Sequence, residues 1–268
     1  MSEFRVEQQN TKQQRQAKLL RKLWQVAIGA LLPALILVIW QILSTNGSFS
    51  ASQLPPPAEV FLAAQGLIER GTLWGHVAIS VQRVFSGFAI GSILGISLGS
   101  AVGLSKSIGR LLLPTIGALR AVPSLAWVPL LLIWMGIYEE PKITLVAIGA
   151  FFPVFTTVAA GLAAVDRNLI EVGKTYGLTG IKLVRKVLLP AASPVIFSGL
   201  RLGLAQAWLF LVAAELIASS KGLGFLLLDS QNSARTDILF MAIILLALLG
   251  KLSDVIIALV EKRTLRWL

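Results

Sequence analysis

The sequence predicts an all-α membrane protein with about six transmembrane helices. Of its 268 residues, 56% are hydrophobic and only 14% are charged, whereas ordinary globular chains carry roughly 25% charged residues. Several apolar runs approach or exceed the ~20 residues that a helix needs to span a bilayer. Basic residues cluster between these runs, which is typical of loops on the inner side of a membrane.

The net charge of +11 does not indicate nucleic-acid binding, because the basic residues lie between apolar runs and not along one soluble face. The chain has no cysteine, which excludes disulfides and thiolate chemistry. Its single histidine, His76, argues against a histidine metal cluster or a Ser–His relay. No small-residue cleavage site follows a short apolar core at the N-terminus, so we expect no removable signal peptide.

The chain divides into a basic tail and a membrane domain. The tail, residues 1–23, carries six basic residues and is expected in the cytoplasm, either as a helix on the anionic membrane surface or as a disordered topology anchor. Residues 24–268 form the membrane domain. We predict spans at residues 24–43, 76–104, 111–136, 143–165, 191–218 and 237–260. With six spans both termini face the cytoplasm, as the positive-inside rule requires.

The second and third spans carry unusual residues. In the second span glycine recurs at every fourth position from Gly87 to Gly103, which exposes a ridge against which another helix can pack closely. We interpret this ridge as packing within one subunit; the alternatives are a dimer contact or a sliding surface. The third span is interrupted by Pro114, Pro123 and Pro129, a pattern typical of the broken helices that line cavities in transporters.

Polar side chains at bilayer depth are candidates for a translocation pathway. A charge there costs about 2.5–3.5 kcal/mol on insertion scales, so it usually faces a bundle interior or a cavity. Arg120 and Arg201 could attract small anions; the alternative is structural pairing with Glu215, Asp254 or backbone carbonyls. Arg201 and Glu215 cannot pair within one helix, because they lie about 21 Å apart along its axis. The pathway candidates are Arg120, Arg201, Gln206 and Glu215.

The stretch between the fourth and fifth spans is a basic island for which we predict helix, tight turn and helix. Apolar residues at helical spacing precede Gly177, which suits a left-handed helix end. Thr179 can cap a second short helix from Leu183 to Val187, and Pro190 opens the next span. The excess of basic residues places this loop on the cytoplasmic side.

This loop resembles a cytoplasmic loop in the membrane subunits of ABC importers. The pattern in that family is Glu-Ala-Ala, three residues, Gly, nine residues, Ile, one residue and Leu-Pro. Val172 and Gly173 stand here for the two alanines, and Val187 stands for the isoleucine. These replacements are small or apolar, so we expect the docking shape to be kept. The positions that match its spacing are Glu171, Gly177, Val187, Leu189 and Pro190.

Residues 55–268 resemble the permease subunits of the aliphatic sulfonate, taurine, nitrate and bicarbonate group of ABC importers, and look most like the aliphatic sulfonate branch. Segments 119–129, 176–180 and 247–254 carry this resemblance. It implies a type I ABC importer permease fold in the bacterial inner membrane. It also implies a homodimer that works with two ATPase subunits and an external solute-binding protein.

The resemblance further implies that residues 166–190, between spans four and five, form the coupling-helix loop that docks on the ATPase. The residues to which it assigns this role are Glu171, Gly173, Tyr176, Gly177, Leu178 and Pro190.

We expect this chain not to be an enzyme and to bind no metal or cofactor. The segment around Lys221 and Gly222 lacks the spacing of a phosphate-binding loop, and that spacing occurs nowhere in the chain. ATP and Mg²⁺ are therefore expected on the partner subunits. The expected substrate is an aliphatic sulfonate, with nitrate, bicarbonate or taurine as alternatives. The alternative from another class of transport protein is an ion-driven carrier or channel. A proton-coupled carrier usually needs carboxylates at membrane depth, and only Glu215 and Asp254 are candidates for this role.

Overall fold

The computed structural model describes residues 28–266 together with Arg21 and Trp24, and this part of the chain contains helices and no strand. Apart from Arg21, the predicted cytoplasmic tail lies outside the described residues, and so does most of the predicted start of the first span. The chain divides after Leu62 into two compact units.

The first unit contains helix α1, Ile28–Thr45, and the beginning of α2, Pro57–Glu69. The apolar side chains of α1 are largely exposed, as a helix in contact with lipid requires. The predicted proline-containing loop follows α1, and Trp40 Nε1 donates a hydrogen bond to the carbonyl of Pro55 over 3.0 Å. This bond fastens the loop to the end of the helix.

The second unit contains the rest of α2 and the helices that follow it. A 3₁₀ turn at Ser124–Ala126 precedes α5, and a π-helical turn at Val184–Leu188 precedes α9. The helices are α3 (Leu73–Leu104), α4 (Lys106–Ala121), α5 (Trp127–Met135), α6 (Glu140–Ala163), α7 (Arg167–Thr175), α8 (Gly180–Leu183), α9 (Leu189–Ala218), α10 (Leu223–Asn232) and α11 (Thr236–Thr264).

Five helical segments of the described chain are long and apolar enough to cross a membrane: α1, α3, α6, α11 and the continuous segment Gly180–Ile217. The third predicted span is instead shared by α4 and α5, which have 16 and 9 residues. The break falls at Pro123, because proline disfavours helical dihedrals in the residue before it. That residue, Val122, is extended, with φ −67° and ψ 124°.

Helices α3 and α6 pack together through the glycine ridge. A Cβ atom on Gly99 would lie 2.8 Å from the carbonyl oxygen of Phe155, and one on Gly103 would lie 2.8 Å from that of Ala159. No real side chain fits at such distances, so the two backbones approach each other as closely as glycine allows. The ridge is therefore a packing surface within one subunit, as predicted.

The core beside this contact is built by α3, α6 and α9. Val84, Val146, Ala150 and Leu211 are completely buried, and Leu204 is buried beside them. These apolar side chains fix the relative positions of the three helices that carry the charged residues described next.

Candidate functional site

The loop between α6 and α9 folds as helix, tight turn and helix, as predicted. Helix α7 ends in a Schellman motif, in which Leu178 N donates to the Gly173 carbonyl over 3.0 Å and Gly177 N donates to the Lys174 carbonyl over 2.9 Å. Gly177 has φ +73°, a left-handed conformation that strains every residue with a side chain. The sharp reversal after α7 therefore depends on Gly177.

The second helix of the loop begins at Gly180, earlier than predicted, and it continues into α9. Thr179 occupies the N-cap position, but its side chain makes no capping hydrogen bond. The π-helical turn Val184–Leu188 joins α8 to α9, and Pro190 lies in the first turn of α9. Pro190 therefore opens the next apolar segment, as predicted, although the helical segment runs continuously from Gly180 to Ile217.

Gly173 lies at the contact between the two arms of the loop. A Cβ atom at this position would lie 2.7 Å from Leu183 Cδ1 and 3.2 Å from Val187 Cγ2. The arms are therefore packed against each other, and the second arm continues into α9 as one helical segment.

Three large apolar side chains are exposed on the loop, among exposed basic residues. We call the side chains of Val172, Tyr176 and Ile181, which are 54%, 82% and 76% exposed, the loop face. Glu171 is exposed beside Val172 and makes no ion pair with any described residue. A Cβ atom on Gly177 would have no atom within 4 Å. We interpret these exposed large apolar side chains as a candidate surface for a protein partner.

Arg201 on α9 is paired with Asp254 on α11. Its Nε lies 2.8 Å from Asp254 Oδ1, its Nη2 lies 3.1 Å from Oδ2, and its Nη1 lies 3.7 Å from Glu261 Oε2. The charge of Arg201 is thus compensated within the chain. Gln206, on the same helix, is half-buried. Of the two arginines proposed for the pathway, Arg201 therefore fits the alternative in which it forms a structural ion pair.

Arg120 differs from Arg201. It lies exposed in the last turn of α4 and forms no ion pair within the described part of the chain. Its neighbour Leu119 lines an apolar cavity of about 410 Å³ between α3, α4, α5 and α6. Trp127 and Phe151 form part of the same wall, and Trp127 Nε1 is buried without a hydrogen-bond partner among the described residues. Arg120 itself is not among the residues that line this cavity, although it directly follows Leu119 in the chain.

Glu215 is completely buried near the end of α9. Its carboxylate accepts hydrogen bonds from Arg83 Nη1 over 2.8 Å, from Ser80 Oγ over 2.8 Å and from Gly224 N over 2.7 Å. A Cβ atom on Gly222 would collide with this carboxylate, so only glycine fits beside it. The bonds from Arg83 and Ser80 connect α9 to α3, and the bond from Gly224 connects it to the start of α10.

Arg83, which no sequence pattern singled out, is the centre of this cluster. It is 2% exposed and donates from Nε and Nη2 to Glu139 over 2.6 and 2.7 Å, and from Nη1 to the Lys221 carbonyl over 2.7 Å. The hydrogen bond from Arg83 lowers the pKa of the Glu139 carboxyl to about 2. A charged residue inside the 32-residue apolar helix α3 was the signal that could have identified it.

Residues 88–266 match the protein family described as the inner membrane component of binding-protein-dependent transport systems. The chain belongs to this family. Its members are the permease subunits of ABC transporters, which are non-catalytic, and the family description places the permease in an inner membrane with a binding protein as a partner of the system.

Three curated relatives cover most of the permease. The protein named as the aliphatic sulfonates transport permease SsuC of Bacillus subtilis is 42% identical over 239 residues, 89% of this chain and 87% of that protein. The taurine transport system permease TauC of Escherichia coli is 35% identical, covering 90% and 89%. The bicarbonate transport system permease CmpB of Synechococcus elongatus is 32% identical, covering 92% and 94%.

Solved structures with the same fold are ABC importers. The inward-facing MetNI methionine ABC transporter matches with a TM-score of 0.58 at 22% identity, covering 76% of the permease and 96% of that chain. An amino acid ABC transporter solved with histidines matches with a TM-score of 0.59 at 18% identity, covering 76% and 98%. The permease therefore has the type I ABC importer fold, as predicted.

Proposed function

We propose that this permease imports an aliphatic sulfonate. The observation that carries the proposal is the 42% identity to the aliphatic sulfonates permease, against 35% and 32% for the taurine and bicarbonate permeases at similar coverage. The chain acts as a homodimer, receives the substrate from an external binding protein, and works with two ATPase subunits. Both of its termini lie in the cytoplasm.

The loop between α6 and α9 docks on the ATPase. The exposed apolar side chains of the loop face supply the contact area, and Glu171 supplies a free carboxylate at its edge. Gly177 and Leu178 set the turn, while Gly173 and Pro190 lie where the loop joins the membrane helix. ATP and Mg²⁺ bind to the partner subunits, and this chain binds no cofactor of its own. Closure of the ATPases moves the loop, and α9 carries that movement into the membrane.

The apolar cavity that Leu119 lines suits the alkyl part of an aliphatic sulfonate, and we assign the sulfonate group to Arg120, the residue that follows Leu119. A sulfonate group pairs with a guanidinium, and an alkyl chain gains free energy by leaving water, at roughly 0.8 kcal/mol per buried CH₂. Nitrate and bicarbonate have no alkyl chain and gain nothing from such a cavity. Arg120→Ala is expected to lower uptake while the protein still assembles; loss of the folded protein would assign Arg120 a structural role.

An ion-driven carrier is the competing function. Such a carrier needs carboxylates that can release and take up protons at membrane depth. Glu215 is held by Arg83 and Asp254 is held by Arg201, so both carboxylates already take part in ion pairs within the chain. The pairing favours the ATP-driven importer over the carrier.

Growth and uptake of a strain that lacks this chain test the substrate. The strain is supplied with an alkanesulfonate, taurine, nitrate or limiting bicarbonate as the nutrient under test. We expect a loss confined to alkanesulfonates. Loss on taurine, nitrate or bicarbonate alone would keep the importer mechanism and replace the substrate.

A further inference from the structure

A second cavity of the permease has a basic end and an apolar end. It lies where α3 ends and α4 begins, beside the end of α6, and has a volume of about 720 Å³. We call it the α3–α4 groove. Its lining includes Val102, Leu104, Lys106, Arg110, Leu113 and Pro114. The loop between α6 and α9 and the residues considered for the pathway take no part in it.

The basic end and the apolar end of the groove result from the spacing of basic and apolar residues along α4. Lys106 and Arg110 are one helical turn apart, and Leu113 and Pro114 continue the same face one turn further on. From Lys106 to Pro114 the helix rises about 12 Å. Between them Gly109 is a buried part of the lining, where a Cβ atom would be in ordinary van der Waals contact with the Val102 carbonyl oxygen at 3.6 Å. The wall therefore changes from cationic to apolar over the length of a few helical residues.

The positive charge in the groove is uncompensated. Lys106 and Arg110 are exposed, and neither takes part in an ion pair with another described residue. Helix α4 also starts here, capped by Ser105 Oγ, which accepts from Ile108 N, so the positive end of its dipole adds to the field. An anion is the complementary ligand.

The place of the groove in the membrane decides which anion fits. Helix α3 is long and apolar enough to span a membrane and ends at Leu104, and the basic pair Lys106 and Arg110 follows its end, as the positive-inside rule expects at the inner membrane surface. Leu113 and Pro114 extend from that boundary along α4. We propose that the α3–α4 groove binds an anionic phospholipid, with the phosphate on Lys106 and Arg110 and an acyl chain along Leu113 and Pro114. A free phosphate would use only the first of these two halves.

Lipid binding to the full-length permease, purified in detergent with its co-purifying subunits, tests this proposal. Phosphatidylglycerol and phosphatidylcholine are titrated separately, and bound lipid is counted by native mass spectrometry. The double variant Lys106→Gln/Arg110→Gln is compared with Lys262→Gln/Arg263→Gln, which removes the same charge from the exposed end of α11. We expect the groove variant to bind phosphatidylglycerol at least tenfold more weakly, and the control to change less than twofold.

Each other outcome contradicts the proposal. If both double variants lose the same phosphatidylglycerol affinity, the lipid is held by general attraction to the positive surface. If phosphatidylglycerol and phosphatidylcholine bind equally well, the groove does not distinguish an anionic headgroup from a zwitterionic one. If dihexanoyl phosphatidylglycerol or inorganic phosphate binds as tightly as the long-chain lipid, the apolar half is unused and the ligand is a free anion. A groove variant that changes the oligomeric state would assign the groove to a second copy of the chain.

If the double variant does not fold, each single variant should weaken binding about threefold.

Discussion

Removal of the Arg83 guanidinium should destabilise the permease strongly. In Arg83→Met the chain keeps an apolar side chain of similar length, but Glu215 stays completely buried without its ion pair. Breaking a buried pair by removing one partner typically costs 3–5 kcal/mol, because the other charge is left uncompensated. At about 2–4 °C per kcal/mol, this loss lowers the midpoint of thermal unfolding by about 6–20 °C. Unfolding of the detergent-purified protein, followed by circular dichroism, measures the shift.

A double-mutant cycle separates the ion pair from other effects of the substitution. Glu215→Gln removes the partner charge, and Arg83→Met/Glu215→Gln removes both. We expect the double variant to be more stable than the sum of the single changes predicts, by about 0.5–3 kcal/mol. A shift below about 2 °C for Arg83→Met, or strict additivity in the cycle, would refute the view that this cluster holds α3 and α9 together.

Three further predictions concern other parts of the permease. The lowered pKa of Glu139 predicts stability that is complete above about pH 4.5 and is lost as the pH falls towards 2; pH-dependent melting should show this loss, and Glu139→Gln should remove the part that Glu139 contributes. Gly99→Ala should reduce the yield of folded protein, because its Cβ would meet the Phe155 carbonyl at 2.8 Å, whereas Gly117→Ala, with no atom within 4 Å, should not; equal yields would contradict the packing account. Ala234→Gly should raise stability by up to about 1 kcal/mol, since Ala234 has φ 54°, and a lower melting temperature would count against this.

Local features of the structure followed from local sequence signals. Gly177 marked the end of α7 because a left-handed helix end needs a residue without a side chain. Of the three prolines expected to interrupt the third span, Pro123 marks the break because its ring restricts the preceding residue, whereas Pro114 lies inside α4. The family pattern around Glu171 identified the loop, and the glycine spacing identified the ridge. Each of these signals lies within a few residues of the feature that it predicts.

Contacts between residues that are far apart in the chain could not be predicted from such local signals. Arg83 and Glu215 are separated by 132 positions. No pattern in the sequence of α3 or α9 predicts that these two helices pack against each other. The pairing of Arg201 with Asp254 was one of several open alternatives, since only the packing of α9 against α11 selects it. The π turn before Pro190 also had no local signal, because it depends on how α8 and α9 are joined.

Retention of the ATPase by a loop variant tests the central claim that the permease is coupled through the loop between α6 and α9. Gly177→Arg places a long cation beside the loop face. The matched control is Gly71→Arg, which has the same left-handed conformation, with φ +70°, and the same open surroundings. Both variants carry similar backbone strain, so only docking distinguishes them. We predict that both enter the membrane in normal amounts and that Gly177→Arg alone loses ATPase co-purification and substrate uptake. Uptake and ATPase retention equal to those of Gly71→Arg would contradict the account.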